Sequence, residues 1–123
     1  MSEPKERVYL SGAMRHRPYF QFPQFDYWRD KLIEAGYDVV SPADLDRAEG
    51  FDPIARNSEN DQLGICDDVQ DVRKLLKRDI DALATCHSLA LMPDCTGSRG
   101  VKAEVAFCEA TEMPVRWAED LCR

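Results

Sequence analysis

Apolar positions along the chain alternate between short continuous runs and stripes at helical spacing. Residues 7–10 (RVYL) form a β-branched and aromatic run closed by Ser11-Gly12, the pattern of a buried strand that ends in a tight turn. Residues 14–23 (MRHRPYFQFP) carry two prolines and cannot continue as helix, so a loop rich in arginine and aromatic side chains is expected there. From about Gln24 the residues Phe25, Trp28, Leu32 and Ile33 follow helical spacing, and Gly36 supplies the stop. A second strand is expected over residues 37–40, ended by Ser41-Pro42.

Residues 43–65 show no clear period and contain Gly50, Pro53, Asn57, Asn60 and Gly64, which predicts a long variable excursion with at most short helical turns. Helical spacing returns over residues 67–85 through Val69, Val72, Leu75, Leu76, Ile80 and Leu83, with Asp67 and Asp68 suited to the helix start. Residues 88–92 (SLALM) form a third strand and residues 93–100 (PDCTGSRG) the loop after it. A last helix over about residues 101–111 is punctuated by Pro114, and residues 115–117 (VRW) suit a fourth strand. Strand and helix thus alternate through the chain. Such alternation points to parallel strands joined by right-handed crossovers, hence an α/β sandwich with a mostly parallel sheet of four to five strands.

At 123 residues the chain has the size of a single domain, with its core expected over about residues 7–117. Its 44% hydrophobic and 32% charged content is that of a globular protein. The formal charge of −7 argues against gripping long nucleic acid, which requires a basic face, while small anionic ligands need only a few local donors. The five cysteines Cys66, Cys86, Cys95, Cys108 and Cys122 are odd in number and irregularly spaced, which disfavours a disulfide framework or a zinc site. No apolar stretch approaches the ~20 residues of a membrane span, and the N-terminal MSEPKER lacks a leader's apolar region. A reducing cytoplasm, no membrane partner and no metal are expected.

Ligands of open parallel sheets bind beyond the carboxyl ends of the strands. Three segments fall there: Ser11-Gly12-Ala13-Met14-Arg15, the start of the 43–65 excursion, and Gly97-Ser98-Arg99-Gly100. The last leaves backbone N–H groups aimed outward at a helix start, an anion site in principle, although a plain turn accounts for the same residues. Glu104 on the first turn of that helix complements the helix dipole or belongs to a site. Asp79 lies beside Ile80 and Leu83, where a carboxylate is costly unless solvated or paired, so it stands at the edge of the apolar stripe or in a site. Tyr9, inside the first strand, suits a core position.

Tyr9-Leu10-Ser11-Gly12-Ala13-Met14, Arg78-Asp79-Ile80-Asp81-Ala82-Leu83 and Ser98-Arg99-Gly100-Val101-Lys102-Ala103-Glu104 together resemble the nucleoside 2-deoxyribosyltransferase superfamily over roughly residues 7–117. Within it the chain is most similar to a small, often phage-borne domain family of unassigned function, and next to the 2′-deoxynucleoside 5′-monophosphate N-hydrolases. The resemblance implies a Rossmann-like three-layer domain, no cofactor, and a homodimer or higher oligomer. It also implies a retaining mechanism in which Glu104 attacks the anomeric carbon, Asp79 assists departure of the base or holds the sugar, and Tyr9 orients the nucleophile. Substrate contacts are expected from Ser11, Gly12, Met14, Arg15, Ser98, Arg99 and Gly100.

Relatives acting on free nucleosides tend to carry aspartate six residues before the nucleophile. This chain has Ser98 there, like the monophosphate hydrolases, and serine suits a phosphate that a carboxylate would repel. Arg15, Arg17 and Arg99 suit its charge, or are solvated surface residues. His87 and Lys102 depart from the pattern: His87 reads as structural, and Lys102 either crowds the pocket or adds a phosphate contact. Tyr19, Phe20, Phe22 and Phe25 suit stacking on a base, core packing or a subunit interface alike. The resulting expectation is an N-glycosidase that hydrolyses the base–sugar bond of a nucleoside 5′-monophosphate. Base exchange by a deoxyribosyltransferase and a silent nucleotide-binding module are the alternatives.

Overall fold

The computed structural model describes residues 4–66 and 68–123. Asp67, expected beside Asp68 at a helix start, lies outside the described residues. Four strands, β1 (Arg7–Ser11), β2 (Asp38–Val40), β3 (Ser88–Leu91) and β4 (Val115–Trp117), form one parallel sheet in the order β2-β1-β3-β4. Side chains of a strand alternate between faces, and both faces of this sheet are covered. Val8, Leu10, Ala90 and Met92 pack on one face with Phe25 and Leu32 of α1 (Phe22–Glu34) and Ala118 of α7 (Ala118–Leu121). Tyr9, Val40 and Leu89 pack on the other with Leu83 of α5 (Val69–Leu83) and Cys108 of α6 (Arg99–Ala110). The result is a Rossmann-like three-layer α/β domain, as the alternation of strand and helix predicts.

Between β2 and α5 the 43–65 excursion is more helical than expected. It holds α2 (Pro42–Ala48), α3 (Pro53–Arg56) and α4 (Glu59–Leu63). Proline opens α2 and α3 at a position where its missing N–H is not needed, and Asp52 and Ser58 cap α3 and α4 by accepting first-turn amides. Arg47 of α2 forms a two-pronged pair with Asp26 of α1, both contacts 2.7 Å, and Arg29 reaches Asp44 at 2.6 Å. These pairs join α1 to α2 through carboxylates with the planar fork that suits arginine.

The aromatic loop departs from expectation in a specific way. Tyr19, Phe20 and Gln21 adopt successive left-handed conformations with φ of 51°, 53° and 60°, each unfavourable for a residue with a Cβ. Tertiary contacts hold them there. Phe20 is buried edge-on against Phe51, the Tyr19 hydroxyl donates to Asn57 at 2.9 Å, and the Gln21 amide donates to the Ala13 carbonyl. Phe20, Phe22 and Phe25 are all core residues, so neither base stacking nor a subunit interface accounts for them. Helix α1 consequently starts two residues earlier than the sequence suggests.

Two apolar stripes are less buried than their spacing implies. Ile33 on α1 is exposed, and along α5 only Leu83 is fully buried while Val69 is 58% exposed. Among the described residues no helix is long and apolar enough to cross a membrane. His87 has a structural role, its Nδ1 accepting the Arg7 amide at 2.9 Å.

Candidate active site

The chain leaves β1 for β2 on one side of the sheet, and β3 leads to β4 on the other, so the order reverses between β1 and β3. A crevice is expected at the carboxyl ends of those two strands. Ser11 ends β1 at this point, with its side chain on the same face as Tyr9. The Ser11 hydroxyl donates to Glu104 Oε1 at 2.8 Å.

Helix α6 begins at Arg99 rather than at Val101, capped by Ser98, whose hydroxyl accepts the Val101 amide at 3.2 Å. Glu104 therefore stands in the second turn and points inward at 5% exposure, which removes the dipole-complement explanation for it. Burial pushes its carboxyl up to about 7, with the Tyr9 and Ser11 hydroxyls opposing that rise and the charge of Asp79 adding to it. The Tyr9 hydroxyl comes close enough to influence Glu104, yet it is a buried oxygen without a hydrogen-bond partner of good geometry among the described residues. Burial, then the charges of Glu104 and Asp79, raise the Tyr9 phenol well above its ordinary value, so it stays a neutral donor.

Asp79, near the end of α5, is mostly buried. Its Oδ1 accepts from Arg78 Nε at 3.1 Å and Nη2 at 2.7 Å. Burial raises its pKa, Arg78 opposes the rise, and Glu49 reinforces it. Arg78 also reaches Asp46 on α2 at 2.8 Å and Glu49 at 2.5 Å. Asp46 is 7% exposed, and burial lifts it to about 6 against the pull of Arg78. Glu104 Oε2 and Asp79 Oδ2 accept no hydrogen bond of good geometry among the described residues, so each carboxyl is held by one oxygen and free at the other.

At the rim, Ser98 is half-buried and Arg99 exposed. Ser98 takes up the Val101 and Lys102 amides, which leaves those of Arg99 and Gly100 as the free first-turn donors. Arg15 is exposed, whereas Arg17 is paired with Asp94 at 3.0 Å. Met14 packs partly against the core beneath α1. Gly12 allows a close approach: a Cβ there would lie 2.6 Å from Met92 Sδ. Of the residues expected from the sequence, Glu104, Asp79, Tyr9 and Ser11 meet in one cluster, Gly12 and Arg15 lie in the loop after β1, and Ser98, Arg99 and Gly100 form the cap and first turn of α6. Asp46, Glu49 and Gln21 were not anticipated. A signal existed for Asp46, which follows the carboxyl end of β2, but Asp44 shares that signal and turns to Arg29 instead.

Among the described residues no group of three or more His, Cys, Asp or Glu side chains is arranged to hold a metal ion. The fold and the cluster define a small α/β domain with a buried carboxyl pair at the switch point of a parallel sheet. Residues 6–117 match the family described as Domain of unknown function (DUF4406), and the chain belongs to that family. No curated protein and no solved structure matches it.

Proposed function

We propose that this domain is an N-glycosidase that hydrolyses the base–sugar bond of a nucleoside 5′-monophosphate. The observation that carries the reading is the buried Glu104, held by Ser11 at the β1–β3 crevice with one oxygen free, beside a second carboxyl and an unpartnered phenol. One group to attack and one to manage a proton is what retaining glycoside chemistry requires. In the first step the free oxygen of ionised Glu104 bonds to the anomeric carbon as the bond to the base breaks. The electron pair leaves with the base, which takes a proton from Asp79. In the second step water attacks the same carbon, Asp79 recovers a proton, and Glu104 departs as carboxylate. The Tyr9 hydroxyl, neutral and close to Glu104, is the group available to orient it once substrate binds. Burial raises the Asp79 pKa, the direction that a proton-carrying group requires.

The substrate's phosphate is assigned to Ser98 and the free amides of Arg99 and Gly100, with Arg15 and Arg99 supplying charge. Incubation with a panel of ribo- and deoxyribonucleoside 5′-monophosphates should release free base without an added acceptor. Release only when a second base is supplied would mean transfer, and binding without release a silent nucleotide-binding module.

We also propose that the domain works as a homodimer in the cytoplasm. Trp117 at the end of β4 is 47% exposed, consistent with an interface near the C-terminal segment, and the exposed apolar residues Val69 and Leu63 add uncovered surface. Sedimentation at micromolar concentration should give twice the chain mass, and a monomer would overturn this.

A further inference from the structure

Arg78 and Asp79 are successive residues of one helix, and side chains at i and i+1 of a helix do not face each other. Yet the Arg78 guanidinium bonds Asp79 Oδ1 through both Nε and Nη2. Something outside α5 must draw the arginine round, and α2 does so. Asp46 Oδ1 lies 2.8 Å from the same Nη2, and Glu49 Oε2 accepts from Nη1 at 2.5 Å. Asp46 is 7% exposed and Glu49 is open to solvent, so Asp46 is the better-shielded anchor. We propose that Arg78, anchored by Asp46 of α2, is a positioning residue that clamps Asp79 by one oxygen and leaves the other free for the reaction.

Lysine cannot replace the clamp, because a single ammonium lacks the planar fork that serves three carboxylates at once. The arrangement also explains why α2 buries a carboxylate that meets no other cation among the described residues: there Asp46 pairs with Arg78 alone. The catalytic meaning of the clamp rests on the base-release reading above, but the clamp itself does not.

Asp79 faces Arg78 on its own helix, Asp46 from α2, Glu49 just after α2, Glu104 from α6 and Tyr9 from β1. The sign of one titration shift follows from this set. Were Arg78 to stay on Asp79 unaided, Asp46→Ala would remove only a neighbouring negative charge and lower the pKa of Asp79. If Asp46 holds Arg78 in place, the substitution frees the arginine, and Asp79 loses its cation and titrates higher.

The test is carboxyl-carbon NMR titration of Asp79 in the full chain without substrate. In Asp46→Ala the Asp79 pKa should rise by about one unit, the scale of losing an adjacent opposite charge. In Asp46→Asn, which keeps an acceptor for Nη2, it should not rise. Arg78→Lys should behave like Asp46→Ala, and it decides the matter if the alanine variant does not fold. A fall or no change in Asp46→Ala overturns the anchoring by Asp46, and no rise in Arg78→Lys overturns the clamp itself. With a monophosphate that releases base, Asp46→Ala should lower kcat at least tenfold with KM nearly unchanged. A lowered melting temperature with intact kcat would reduce the clamp to a structural latch and overturn its positioning role. If the wild type releases no base at all, the hydrolase reading falls while the titration still decides the clamp.

Discussion

The Ser11 hydroxyl at the end of β1 donates to Oε1 of Glu104 in the second turn of α6, joining residues 93 positions apart at 2.8 Å. A hydrogen bond to the charged form of a buried acid lowers the cost of ionising it and fixes which oxygen remains free.

Removal of that donor should raise the Glu104 pKa further. A hydrogen bond to a charged group is worth ~1.5–3 kcal/mol, and one pKa unit corresponds to about 1.4 kcal/mol. In Ser11→Ala the acidic limb of kcat should therefore move up by about one to two units, with full activity regained at high pH. A pH–rate profile of wild type and variant checks this, and superimposed limbs would remove Ser11 from the site.

Glu104→Gln should abolish base release by on the order of 10³-fold or more, since the amide cannot act as nucleophile. It should also stabilise the fold at alkaline pH. The folded-state pKa of about 7 lies above the ordinary 4.5, so between these values the folded state holds a proton that the unfolded chain has released. Wild-type stability from this group therefore falls as pH rises from about 4.5 to about 7 and stays reduced above that. The glutamine variant should exceed wild type by on the order of 3 kcal/mol at pH 8 and match it near pH 4, as read by thermal denaturation at the two pH values.

Ser98→Asp should erase or reverse a preference for monophosphates over free nucleosides by setting a negative charge against the dianion. Specificity constants for a nucleoside and its 5′-monophosphate measure the effect. Equal constants in the wild type would end the phosphate assignment and favour the transferase alternative.

Gly64 sits under the loop that follows β1. Its carbonyl accepts the His16 amide at 2.8 Å, its φ is 68°, and an added Cβ would lie 2.2 Å from the Arg17 carbonyl oxygen. Gly64→Ala should cost about 2 kcal/mol or more, because backbone strain and a clash with rigid backbone act together. Denaturant unfolding would show it as a lower midpoint, and an unchanged midpoint would mean that this loop is not seated on α4.

The sequence by itself determined the alternation of strands and helices and the parallel sheet, because period-two and helical spacing are local properties of the chain. It also singled out Asp79 as a carboxylate beside an apolar stripe, and left Glu104 between a dipole complement and a site residue. It could not choose between Asp44 and Asp46, which lie two residues apart on a helix and so point to different neighbours: Arg29 of α1 takes one, Arg78 of α5 the other. It read the first turn of α6 two residues late, so Glu104 stood on an exposed turn when the fold buries it. The left-handed run at Tyr19, Phe20 and Gln21 was likewise invisible, since local preference opposes it and tertiary partners such as Phe51, Asn57 and the Ala13 carbonyl hold it there. Burial and cross-chain partners belong to the tertiary structure, and they decide which carboxyl carries a raised pKa and which is an ordinary ion pair.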